Sequence, residues 1–122
     1  MSDVIDAKKL MKIGMRGYKD IVDVNWHGVI IQVKYMLDMD REHMLIQSII
    51  NCCMTDDGNF VPELLDISIR ANIVKTYSSV ELPEDISDQH KLLYYSDLFD
   101  TIVNNVNKNQ TEHILKLVEL RI

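Results

Sequence analysis

The chain has 122 residues, 47% of them hydrophobic and 7% aromatic, and a net charge of −6. That length sets one domain and one core, and that hydrophobic content excludes a disordered chain. The charge is uneven: residues 38–66 hold seven acids and one base, residues 81–100 six acids and one base, and residues 1–20 five bases and three acids. An acidic body behind a mildly basic leader argues against binding to phosphate backbones, and a solvated acidic surface is the plain reading of both runs.

Residues 3–16 read as a helix capped by Ser2 or Asp3. Val4, Ala7, Leu10, Met11 and Met15 fall near one stripe, and Gly14 and Gly17 weaken the end. A segment this short is marginal in water unless it docks. Residues 1–19 are therefore either an arm that orders against a neighbour or an ordinary first helix. Met1 to Lys9 has no continuous apolar core, so no signal peptide is expected, and no run of 18 apolar residues could span a bilayer.

Residues 20–35 carry the clearest strand signal. A two-residue turn at His27-Gly28 sets Trp26 against Val29, Val24 against Ile31 and Val22 against Val33. All three pairs are apolar and share one face, because the side-chain period is two. Gly28 tolerates the positive φ of a tight hairpin and His27 tolerates it less, so a four-residue loop with the same pairing is the alternative. A lone hairpin is unstable and must lie on helices.

Residues 39–54 read as a helix capped by Asp38 or Asp40, with Leu45, Ile46, Ile49, Ile50 and Cys53 as its buried stripe. Thr55 to Asn59 is a turn with Gly58 in the left-handed position. Pro62 then opens a helix to about Tyr77, apolar on more than one stripe and so expected at the centre of the molecule. A loop at Leu82 to Asp85 precedes a helix over about 87–106, with Leu92, Tyr95, Phe99, Ile102 and Val106 along one face. Asn109 or Thr111 starts the last helix, apolar at Ile114, Leu115, Leu117, Val118 and Leu120. The fold class is α+β: an N-terminal β-hairpin packed on a small bundle of four to five α-helices, with residues 20–122 as a single globular domain.

Chemistry is scarce. His27, His43, His90 and His113 are far apart in sequence, and no zinc spacing occurs. Adjacent Cys52 and Cys53 point to different sides of a helix. They read as free thiols in a reducing compartment, neither a disulfide nor a metal site. Asp56-Asp57-Gly58-Asn59 is like a calcium loop out of register, since the first ligand would be Cys53. No phosphate loop and no nucleophile elbow is present. The expectation is no catalytic residue, no metal and no cofactor. Trp26 and His27 at the hairpin tip, with Met11 and Met15 in the leader, are the candidate partner contacts. The plainer role for Trp26 is to cover helix ends.

Trp26-His27-Gly28, Ile31, Val33-Lys34 and Leu37 lead into a helix. Asp57-Gly58, Phe60 and Pro62 open another, and Asn72-Ile73-Val74 and Tyr77 follow. Over roughly residues 20–105 this ordering resembles small proteins encoded among the virion structure and assembly genes of tailed bacteriophages, especially those of Firmicutes and related gut bacteria. The resemblance implies a non-enzymatic part in building or decorating a particle, at the tail or the head–tail junction. Its partners would be other virion or assembly proteins or further copies of the chain, in the host cytoplasm during assembly or in the virion. Nucleic acid, membrane and small-molecule substrates are not expected. The alternative is a phage-encoded acidic inhibitor of a host defence system such as CRISPR-Cas, with carboxylates standing where phosphates would lie. An enzyme is the least supported class.

Overall fold

The computed structural model describes residues 4–122. Its elements are α1 (Ala7–Gly14), β1 (Ile21–Trp26), β2 (Val29–Lys34), α2 (Met39–Asn51), α3 (Leu65–Tyr77), α4 (Ile86–Tyr95), α5 (Leu98–Val103) and α6 (Lys108–Arg121). The architecture is α+β, an N-terminal antiparallel hairpin set against the five helices α2–α6.

The hairpin has the register that its alternation dictates. Val22 pairs with Val33, Val24 with Ile31 and Trp26 with Val29. The turn has two residues, with φ at 51° for His27 and 86° for Gly28. Both signs suit the right-handed twist of the strands. Asn25 Oδ1 accepts the Gly28 N–H at 2.9 Å and helps close the turn. Ile31 and Val33 are buried, and Val24 and Trp26 pack half-buried against the same core. Val29 departs from the expected apolar face: it is 58% exposed at the hairpin tip. The free edge of β2 is tied to the end of α3, where Ser79 N–H donates to the Gln32 carbonyl at 3.0 Å and Gln32 N–H to Ser79 Oγ at 3.1 Å.

Helix α2 is capped by Asp38, whose side chain accepts the Arg41 N–H at 2.8 Å. Leu45, Ile46, Ile49 and Cys53 are buried and Ile50 is half-buried, as the stripe requires. The turn after it has Gly58 at φ 82° and closes through Thr55 N–H to the Asn59 carbonyl at 2.7 Å. Pro62 begins a short 3-10 turn that leads into α3. Helix α3 buries Ala71, Ile73, Val74 and Tyr77, together with Ser68 and Asn72, and packs on α2, α4 and α5. Each large side chain fully withdrawn from water there contributes about 1.5–3 kcal/mol. This is the centre of the molecule.

Helix α2 ends at Asn51, short of the 39–54 span, and two later helix readings are corrected. The single helix over 87–106 is two, broken at Ser96-Asp97. Ser96 Oγ donates to the Leu92 carbonyl and accepts the Leu98 N–H, so one side chain ends α4 and starts α5. Tyr95, placed on the buried face by the unbroken reading, is 79% exposed, and Leu93 and Leu98 are buried. The last helix starts earlier than Asn109 or Thr111: Asn107 caps α6 through its Oδ1 and the Gln110 N–H at 3.0 Å. On α6, Ile114 and Val118 are buried, whereas Leu120 is 77% exposed.

A buried polar clasp joins distant parts of the chain. Gln110 Oε1 accepts the Leu37 N–H at 2.8 Å and the Tyr77 hydroxyl at 2.7 Å. Its Nε2 donates to the Leu37 carbonyl at 2.9 Å and to Glu42 Oε2 at 3.0 Å. Burial first, and then the Glu42 charge, pushes the Tyr77 hydroxyl pKa well above its ordinary value.

Candidate contact surface

The leading segment exposes Val4, Ile5, Leu10, Met11 and Ile13 in close succession. Helix α1 is shorter than the 3–16 span, and its cap is Asp6, which accepts the Lys9 N–H at 2.8 Å. Ser2 and Asp3, the expected caps, lie outside the described residues. No residue of α1 is buried. Met11 is 62% exposed, and Met15, at the C-cap, is half-buried. Lys8, Lys9 and Lys12 stand on the same two turns.

Trp26 and His27 converge on one carboxylate. Trp26 Nε1 donates to Asp97 Oδ1 at 2.7 Å, and His27 Nε2 lies 3.0 Å from the same oxygen. Asp97 precedes α5, so Trp26 does sit over a helix start. The two rings meet edge to face at 5.0 Å. The Trp26 hydrogen bond, and then that of His27, hold the Asp97 carboxyl below the usual carboxylate range. The arrangement fastens the hairpin tip to the helices and leaves the His27 side chain 68% exposed. No hydrogen bond links this pair to Met11 or Met15.

A second cluster, absent from the sequence reading, surrounds Arg70. Its guanidinium lies 4.4 Å from the Tyr94 ring centroid and 4.7 Å from that of Phe99. Nη1 donates to the Leu93 carbonyl at 2.8 Å, and Nε is 3.6 Å from Asp66 Oδ2. The Tyr94 hydroxyl donates to that same carboxylate. Its pKa is pushed up to about 12, first by desolvation and then by Asp66. Beside the cluster, a cleft of about 320 Å³ is lined by residues of α3, α5 and α6. Spacing gave no signal for it, since Arg70 and Leu93 are 23 residues apart.

The thiols divide as their positions suggest, Cys52 exposed and Cys53 buried, both free. Burial pushes the Cys53 thiol pKa up, and its Sγ donates to the Ile49 carbonyl at 3.3 Å. Among the described residues no three His, Cys, Asp or Glu side chains come together as a metal site, and no helix is long and apolar enough to cross a membrane. Compared with protein-family models, curated proteins and solved structures, the chain matches none of them.

Proposed function

We propose that the chain is a non-enzymatic protein that works through protein–protein contacts in the assembly or structure of a tailed-bacteriophage particle, at the tail or the head–tail junction. The observation that carries the contact reading is α1, a capped helix with an apolar stripe and no buried residue. Apolar surface left exposed along one face of a helix marks a docking site. The phage setting is supported by the resemblance over residues 20–105. A second reading, an acidic inhibitor of a host defence complex, has its own support: of the acids in 38–66 and 81–100, only Glu42 is not exposed.

Affinity capture with cross-linking from phage-infected cells separates the two. Recovery of particle proteins by the full chain, lost in Met11→Asp, supports assembly. Recovery of a host nuclease complex, unaffected by Met11→Asp, would replace it with the inhibitor reading.

A further inference from the structure

Two turns of helix do not hold in water by themselves. The Asp6 cap adds one satisfied N–H, which is too little to change that. Yet α1 presents Ala7, Leu10, Met11 and Gly14 at three- and four-residue steps, with Leu10 58% and Met11 62% exposed. Lys8, Lys9 and Lys12 lie off that stripe. Residues 1–20 carry a net +2, from five bases and three acids. Residues 21–122 carry −8, from eight bases and sixteen acids. A basic amphipathic helix is thus tethered to an acidic body that does not bury it.

The body has a cleft of matching chemistry. The cleft of about 320 Å³ between α3, α5 and α6 has Leu65, Ile69, Phe99 and Leu115 in its lining, together with the carboxylates of Asp66 and Glu119. Arg70 also lines it, but its guanidinium is held against Tyr94, Phe99, Asp66 and the Leu93 carbonyl. The groove beside Cys52 and Ile86 is a poorer match, since it contributes Lys75 and no carboxylate.

We infer that α1 of one copy docks its Leu10–Met11 face in the Leu65–Phe99–Leu115 cleft of a second copy, with Lys8 and Lys12 facing Asp66 and Glu119. The inference rests on the reading of α1 as a contact arm and names what it contacts. Reciprocal exchange of arms gives a closed pair, and one-way exchange gives a chain or ring of copies. An anionic membrane is the other surface such a helix could meet. The charge of −8 behind the arm opposes that approach.

Sedimentation of the purified full-length protein tests this without any phage component, so its result stands apart from the capture experiment. The full chain should self-associate. Leu10→Asp should abolish the association with the circular dichroism of the body unchanged. Lys8→Glu with Lys12→Glu, and separately Glu119→Lys, should each weaken it by about tenfold or more. Exchanging one pair alone, Lys12→Glu combined with Glu119→Lys, should restore it, because those opposite charges then face each other in exchanged positions while Lys8 still faces Asp66. Asp66 is left intact because it also bonds to Tyr94. A full chain that stays monomeric at its highest soluble concentration overturns the inference, as does association that survives Leu10→Asp. Loss without rescue in the combined variant overturns the cleft as receptor. Binding of a monomeric chain to phosphatidylserine vesicles, lost in Leu10→Asp, assigns the arm to membranes and overturns it too.

Discussion

Asp97 holds the hairpin tip through the Trp26 and His27 bonds to a single oxygen. Its carboxyl pKa is lowered from an ordinary 3.8. A depressed carboxyl contributes its stabilisation above the unfolded-state value, and that contribution is lost as pH falls through the lower folded-state value. Trp26 fluorescence should therefore change in an acid titration below pH 3.8. The change should vanish in Asp97→Asn, whose amide does not titrate. An identical acid transition in Asp97→Asn would show that other carboxyls release the indole. Gln110 acts at the same scale but in the interior. Gln110→Leu strands the Tyr77 hydroxyl and both polar groups of Leu37 away from water. Leaving such groups unpaired costs about 1–3 kcal/mol each where water cannot reach. Partial relaxation should bring the net loss to about 2–4 kcal/mol, read from urea unfolding. A loss near zero would mean that the clasp does not tie β2 and α2 to α6.

Among the elements, the hairpin has the sharpest test, because neighbouring positions face opposite ways. Val24 pairs with buried Ile31 and packs on the core, whereas Asn25 is exposed. Val24→Asp should cost about 2 kcal/mol or more, through a carboxylate pressed against apolar side chains. Asn25→Asp keeps an oxygen to accept the Gly28 N–H and should cost well under 1 kcal/mol, the usual range for surface changes. Equal losses at the two sites would contradict the register. The same side-chain logic governs the break between α4 and α5. There Ser96 competes for backbone groups that an uninterrupted helix would use.

For the whole molecule, the arm and the body separate in stability and in charge. Removing residues 1–16 takes away α1, none of whose residues is buried, and leaves Tyr18 edge-on to Tyr35 at 5.7 Å. The unfolding midpoint should change little. A truncated chain that fails to fold would make α1 part of the core. The field of the body should also exclude duplex DNA. A binder that neutralises several phosphates shows steep salt dependence. At a net −6, with five bases in the first twenty residues, no binding should be measurable even at low salt. Tight, salt-sensitive binding in a fluorescence anisotropy titration would refute that.

Local chemistry made much of this legible in advance. Alternation around Gly28 determined the hairpin register, because a one-residue slip would turn Val22, Val24 and Trp26 away from the helices. Asp38 marked the start of α2, Gly58 the turn that follows it and Pro62 the 3-10 turn that leads into α3, through hydrogen bonds and φ values that each residue type favours. Apolar positions on more than one stripe of α3 announced its central place. Tertiary packing decided the rest. Two apolar phases were available between Leu92 and Phe99, and an unbroken helix would have buried Tyr95. The core instead takes Leu93 and Leu98, five residues apart, which no single straight helix stripe presents. Trp26 with Asp97, Leu37 with Gln110, and Arg70 with Phe99 are brought together by the fold over long sequence separations. No spacing rule reaches that far, because periodicity reports which side of its own element a residue faces and not what stands opposite. The cleft of α3, α5 and α6 belongs to this second kind: its carboxylates and apolar side chains are scattered in sequence, and only the packing of three helices makes them one surface.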